Sequence, residues 1–369
     1  MGDNTLGNRL KITSFGESHG ELIGIVIDGI PAGLDFDLDL IQKDLDMRKP
    51  KQSFITSPRD ELDKAEILSG IFKNKTTGAP ICIIIKNKDI DSTPYEKINH
   101  LLRPSHIDYS ALKKFGPFAD YRGSGRFSGR ITAGFVMAGA LAKQILEKYQ
   151  IKIITYTKAI GSTIDEKKYD YNSFEDLIKI REENMVRSLN PELGKEMVDQ
   201  VKKVHNEGDS IGGLIKCVVI NFPAGIGGPI FNSIESNLSK AIFSIPAIKG
   251  IEFGAGFKVA RMKGSEHNDP WIIRNGIIKT EKNDSGGIIG GISTGMPIEF
   301  TVAVKPTASI NISQKTVNIE SMEEDFIQIE GRHDPCIVPR AVIVIEAMTA
   351  IVLLDFLLME GRIPSILNL

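Results

Sequence analysis

The chain has 369 residues, 41% of them hydrophobic and 25% charged, the profile of a globular protein with a sizeable core, either one large domain or two ordinary ones. Its formal net charge of −2 excludes a global field that would recruit nucleic acid or a membrane surface, so anion binding must come from local clusters of arginine. Cys82, Cys217 and Cys336 are scattered; they have neither disulfide-framework nor zinc-knuckle spacing and read as small packed residues in a reducing, cytoplasmic setting. The opening run Met1-Gly-Asp-Asn-Thr-Leu lacks the apolar core of a signal peptide.

Strand-like runs follow one another at 23–27, 81–86, 151–156, 214–221, 251–259 and 298–304. Several are joined by glycine-rich turns rather than helices, which favours antiparallel pairing over a doubly wound parallel sheet. A strongly apolar helix is predicted over 132–149 and another over 340–360. A helix apolar on nearly every face must be covered on nearly every face, so these belong at the centre, flanked by sheets. Ala133, Gly134, Ala138, Gly139, Ala140 and Ala142 let neighbours approach the first one closely. The second approaches membrane-spanning length. Glu346 and Asp355 interrupt it, however, and each would be expensive in a bilayer, so it reads as a core helix. The charged stretch 176–205 reads as a surface helix inserted between two halves, the insertion running from about 172 to 205.

Those halves echo each other in order. Gly20-Glu-Leu-Ile-Gly24 and Ile27-Asp-Gly-Ile-Pro-Ala-Gly33 resemble Gly208-Asp-Ser-Ile-Gly212 and Ile220-Asn-Phe-Pro-Ala-Gly225. Thr77-Gly-Ala-Pro-Ile81 likewise has the counterpart Thr294-Gly-Met-Pro-Ile298. The reading is one domain over 1–369, duplicated into pseudo-repeats of about 8–150 and 206–360.

Candidate chemistry concentrates in loops. Gly16-Glu-Ser-His-Gly20, Arg103-Pro-Ser-His106 and Gly331-Arg-His-Asp-Pro335 each set a histidine among shape-fixing glycine or proline. His19 and His106 suit acid catalysis. Metal binding is their rival, but the tight spacing of structural zinc is absent. His333 reads as a spacer, and His100, His205 and His267 as ordinary surface or core residues. Asp334, next to Arg332 and locked before Pro335, fits either a base or an ion pair that orders the loop. Asp120-Tyr-Arg-Gly-Ser-Gly-Arg-Phe-Ser-Gly-Arg130 alternates arginine with small residues, and with Arg103, Arg332 and Arg340 it suits phosphate or carboxylate. Gly123-x-Gly125 is not a dinucleotide fingerprint, for it lacks the third glycine and the βαβ setting. The stretch from Asn283 to Gly295, leading to Lys305-Pro-Thr-Ala-Ser309, supplies amides, hydroxyls and a lysine for a cofactor phosphate.

Together with Ile248-Lys-Gly-Ile-Glu-Phe-Gly254, these motifs resemble those of the chorismate synthases, in order, from about Asn8 to Leu358. The resemblance implies an α+β fold, a duplicated β-α-β sandwich with central apolar helices between largely antiparallel sheets, assembled as a cytoplasmic homotetramer. It implies a carbon–oxygen lyase of the shikimate pathway. The reaction is a 1,4-anti elimination of phosphate from 5-enolpyruvylshikimate 3-phosphate, giving chorismate. It uses reduced FMN without net redox change, and NAD(P)H enters only if the protein reduces its own flavin. A substrate with one phosphate and two carboxylates matches the arginine load. The proton removed is not acidified by a carbonyl, and side-chain acid–base catalysis supplies only ~10²–10⁴-fold, which gives the flavin its purpose.

By resemblance His19 is the acid toward the leaving phosphate, His106 the partner of the reduced flavin, and Asp334 the group that adjusts the flavin N5 proton. Arg48, Arg103, Arg130 and Arg332 are expected on substrate anions. Arg126, Ser128, Pro246, Ala247, Gly290, Lys305, Pro306, Thr307, Ala308, Ser309 and again Arg332 are expected on the flavin. No metal is expected. The chain departs from the common pattern at Phe127, where relatives have a hydroxyl, and at Ile131, where they have a carboxylate. Met47 and Lys49 flank Arg48 where many relatives have arginines, and Phe54 replaces another arginine. Two rivals stand beside this reading: a net oxidoreductase on the same scaffold, and a basic-loop protein binding RNA or another polyanion. The second predicts affinity that falls steeply with salt.

Overall fold

The computed structural model describes residues 2–50, 63–88, 90–329 and 333–367. Two five-stranded sheets enclose a pair of long apolar helices. In the first sheet Lys11–Gly16, Leu22–Asp28 and Ile81–Lys86 pair antiparallel in that order, with short strands at the edges. In the second, Ile248–Phe253, Ile298–Val304, Gly213–Ile220 and Lys152–Ile160 pair antiparallel in that order. The fold is α+β with antiparallel sheets, as expected.

The helix Thr132–Lys148 packs on the first sheet and Val338–Met359 on the second, and the two helices pack on each other. Gly139 marks the tightest approach, because a Cβ there would lie 2.2 Å from that of Ala347. The acids of the second helix stay inside the protein. Glu346 accepts from Lys143 Nζ at 2.7 Å and Arg181 Nη1 at 2.6 Å. Asp355 accepts from the backbone amides of Asn8, Arg9 and Leu10 at 2.7–2.8 Å, tying the N-terminal segment to the core. An ion-paired Glu346 and an amide-bonded Asp355 both suit a protein core and explain how so apolar a helix carries them.

Two expectations need correction, and three helices went unpredicted. The strand drawn over 251–259 ends at Phe253; the chain turns through Gly254, at φ 56°, into a short 3-10 turn, Gly256–Arg261. The charged stretch is two helices, Phe174–Glu183 and Pro191–Asn206, because Asn190 caps the second and Pro191 can only start it. The helices Leu38–Arg48, Asp108–Phe115 and Ile234–Phe243 escaped the sequence reading, being short and only partly apolar.

Candidate active site

Most of the loops singled out in the sequence converge on one cleft of about 530 Å³, but the Asn283–Gly295 stretch does not reach it. The Gly16–Gly20 turn leads into strand Leu22–Asp28 of the first sheet; Lys305 follows directly on strand Ile298–Val304 of the second. The segment 103–107 and the 122–130 turns close one side, and Asp334 precedes the second central helix. A rigid two-sheet scaffold thus delivers loops far apart in sequence to one place.

The arginine loop owes its shape to local chemistry. Gly123, Ser124 and Gly125 are all left-handed, at φ 55°, 67° and 49°, so the chain reverses sharply between Arg122 and Arg126. Gly123 has no alternative: a Cβ there would lie 2.4 Å from Cδ2 of His19. The amide of Ser18 donates to Gly125 O at 3.3 Å, docking the first histidine loop on the arginine loop.

His19 is buried one layer behind the cleft lining, where Ser18, Gly123 and Tyr95 face the opening. Its Nδ1 lies 2.9 Å from Ser92 Oγ, and its ring meets Tyr95 edge-on at 5.1 Å. Arg103 sits over the same Tyr95 ring and forks onto Asp108 at 2.6 and 2.8 Å. A third contact, 3.1 Å to Ser124 Oγ, holds it to the glycine turn. His106 lines the cleft between Pro104 O and Ser309 Oγ, each 3.0 Å from a ring nitrogen. Burial, then the charges of Arg103 and Lys305, push its pKa down from 6.5 to about 4.

Arg48 and Arg130 share one carboxylate. Asp63 accepts from Arg48 Nη2 at 2.9 Å and Arg130 Nη1 at 2.5 Å. Burial would raise its pKa, but the two guanidiniums more than offset that and hold it below the usual value. Arg130 also donates to Asn87 Oδ1 at 2.9 Å, and Arg48 to Gly129 O at 3.2 Å. On the far side Asp334 pairs with Arg340, whose Nε donates to Arg48 O at 2.9 Å. The ion-pair arrangement open to Asp334 is therefore present, made with Arg340.

Ser128, Pro246, Ala247 and Lys305 to Ser309 also line the cleft. Two expected flavin contacts do not. Arg126 turns away, donating to Gly16 O at 2.8 Å and Ser14 O at 3.1 Å, and borders a neighbouring cavity of about 730 Å³. Gly290 occupies a hairpin turn between Ile288–Ile289 and Ile292–Ser293. Arg332 and Phe54 lie outside the described residues. Phe127 lies between the two cavities, its ring 6.3 Å from that of Phe115, and Ile131 is buried beside it.

Sequence reasoning missed Asp63, Ser18, Tyr95 and Lys249. Ser18 and Lys249 stood inside motifs already singled out. An excess of arginine was a signal to seek a carboxylate such as Asp63, but nothing nearby in sequence marked that one.

The cleft lining sets Arg48, Arg103, Arg130, Lys249, Lys305 and Arg340 against the single carboxylate of Asp334 among the described residues. It can bind a multiply anionic molecule beside a neutral imidazole. The comparisons agree with that chemistry. The chorismate synthase family matches residues 10–358. A chorismate synthase of Dehalococcoides mccartyi is 50% identical over 367 residues, covering 99% of both chains. That of Korarchaeum cryptofilum is 47% identical over 362 residues, covering 98% of this chain and 99% of its own. A crystal structure of chorismate synthase superposes with a TM-score of 0.72 at 31% identity, covering 96% of this chain and 93% of the other. The chain belongs to the chorismate synthase family and is a carbon–oxygen lyase of aromatic biosynthesis.

Proposed function

We propose that the chain converts 5-enolpyruvylshikimate 3-phosphate to chorismate and phosphate by 1,4-anti elimination, with reduced FMN as a cofactor that is not consumed. The observation that carries this is the single cleft: it gathers His106, Asp334 and most of the expected anion contacts, with cations far exceeding carboxylates. The residues present fit a flavin. Ile245, Ile248, Ile337 and Val344 offer apolar walls for a planar ring, and Lys305, Thr307 and Ser309 offer a cation and hydroxyls for a phosphate. When bound, reduced flavin supplies electron density to the departing phosphate and recovers it afterwards.

The protein's part is binding, orientation and proton handling. Arg48 and Arg130, held together by Asp63, with Arg103 and Arg332, bind the substrate's phosphate and carboxylates. Ser128, Pro246, Ala247 and Lys305 to Ser309 hold the flavin, with Arg126, Gly290 and Arg332 completing it as the family pattern implies. His19 acts as acid toward the leaving phosphate, reached through the Ser18–Gly123 edge of the cleft. Neutral His106 presents Nε2 to the flavin, and Asp334 adjusts the N5 proton from its place beside Arg340. The working form is a cytoplasmic homotetramer, and NAD(P)H takes part only if the chain reduces its own flavin. The two pseudo-repeats, about 8–150 and 206–360, are the proposed origin of the fold. Support comes from the like antiparallel pairing of Leu22–Asp28 with Ile81–Lys86 and of Gly213–Ile220 with Ile298–Val304.

The test is an anaerobic assay with photoreduced FMN. Chorismate and phosphate should appear in equal amounts while the flavin stays reduced. Stoichiometric flavin oxidation, or no chorismate, rejects the reading. Repeating it with NADPH as sole reductant decides whether the chain reduces its own flavin.

A further inference from the structure

The strand Ile248–Phe253 pairs irregularly with Ile298–Val304. Ile248 sits opposite Val304, but Gly250 sits opposite Ala303, so Lys249 is an extra residue on a β-bulge. Bulges re-aim side chains and occur preferentially beside active sites. The residue two before it, Ala247, adopts φ 72°, a left-handed conformation that a side chain disfavours and that clusters at functional sites. Lys305 is fastened to this irregularity, its amide donating to Ala247 O at 2.9 Å.

Both lysines line the cleft, and burial followed by the nearby charge of Lys249 lowers the pKa of Lys305. Lys305 Nζ donates to Ser105 O at 3.0 Å, a neutral partner. Arg48, Arg103, Arg130 and Arg340 each have a carboxylate. Among the described residues, neither Lys249 nor Lys305 has one within ion-pair distance. A lone exposed lysine is ordinarily a solvated one. Two convergent lysines without an acid, raised by a strained turn and a bulge, are a site prepared for a doubly charged anion.

We infer that Lys249, with Lys305, is a binding residue of the cleft and that the pair grips a phosphate monoester dianion. The inference deepens the function proposed above, which offers two sources of that group: the flavin phosphate and the substrate phosphate. A charge-assisted contact of this kind corresponds to about ten- to hundredfold in affinity. Lys249 is exposed, so Lys249→Gln should fold normally, and Lys249→Arg should keep most of the binding.

The experiment titrates wild-type and Lys249→Gln protein, flavin-free, with FMN, riboflavin and inorganic phosphate, and measures the substrate KM separately. Weaker FMN binding with unchanged riboflavin binding assigns the flavin phosphate. A raised KM with unchanged FMN binding assigns the substrate phosphate. Equal weakening for FMN and riboflavin, or no change for FMN, inorganic phosphate and KM alike, overturns the inference. The inorganic phosphate arm needs no turnover: its loss in the variant supports the dianion grip even if no chorismate forms, a result that would instead reject the proposed reaction.

Discussion

His106 and Ser309, separated by 203 residues in sequence, meet at 3.0 Å between Nε2 and Oγ. The other nitrogen, Nδ1, lies 3.0 Å from Pro104 O. A carbonyl can only accept, so Nδ1 carries the proton and Nε2 accepts from the serine hydroxyl. His106 is therefore a base at Nε2 in the free protein, and becomes an acid only after something raises its affinity for a proton. An anion in the cleft would do so by compensating Arg103 and Lys305, whose charges help hold its pKa at about 4. NMR titration should find a midpoint near 4 without ligand, and one at least a unit higher with FMN or phosphate bound. An unmoved midpoint would show that the cations do not control this imidazole.

The same depression makes stability pH-dependent. The unfolded chain protonates His106 near 6.5, whereas the folded protein resists until about 4. The unfolded state then binds more protons across that window, so stability falls as pH drops from 6.5 to 4 and is unaffected above it. The total is roughly 3 kcal/mol. Urea unfolding of His106→Asn should show a shallower loss between pH 6.5 and 4 than wild type; parallel curves would remove this contribution.

Asp63→Asn should loosen Arg48 and Arg130 together. The carboxylate is buried and touches both guanidiniums at 2.5–2.9 Å, so its loss leaves the buried Arg48 and the half-buried Arg130 facing an amide. Breaking such a pair costs about 3–5 kcal/mol. Anion affinity should fall as well, with KM rising about tenfold, one charge-assisted contact, and kcat changing less. Urea midpoints and steady-state kinetics check both. A normal KM would mean that Asp63 stabilises the fold without organising the site.

How much of this could be read beforehand depended on whether a feature was local in the chain. The apolar helices were plain because their composition demands burial on every side, and Ile81–Lys86 and Ile298–Val304 match their predicted runs end for end. The motif loops were plain because glycine, proline and histidine together are informative. Asp63 and Lys249 were not. One is a single acid whose partners lie 15 and 67 residues away; the other is a lysine whose role depends on a bulge, and a bulge is a property of strand pairing. Arg126 shows the converse, for its motif was legible while its direction, toward Gly16 O, was set by the turn before it.

Gly139→Ala should destabilise more than a surface glycine substitution. Its Cβ would lie 2.2 Å from Ala347 Cβ and 2.3 Å from Ala347 Cα. One of those atoms is backbone, so no rotamer change relieves the clash and the two central helices must part. Overpacking of this kind costs about 1–3 kcal/mol, and more where little can move. Ala347→Gly on the same background removes the nearest of the clashing atoms and should recover part of the loss, a coupling readable in a double-mutant cycle. Additive effects would mean that the helices separate freely at this crossing.

Glu346 makes the opposite case, a charge the core cannot do without. It is buried in the most apolar helix and accepts from Lys143, Arg181 and both the amide and hydroxyl of Thr155, at 2.6–3.2 Å. Burial alone would raise its pKa, but Lys143 and Arg181 overcome that and hold it at about 2. Its contribution is thus complete above the unfolded value of 4.5 and is lost as pH falls toward 2. Glu346→Gln should cost about 3–5 kcal/mol at neutral pH, because Arg181 would remain buried without its 2.6 Å acid partner and Lys143 would keep only Asp44. Glu346 does not line the cleft, so the fraction that stays folded should keep the wild-type KM. A variant as stable as wild type would place the stabilisation in Asp44, which also contacts Lys143 at 2.8 Å, and Asp44→Asn would then carry the loss.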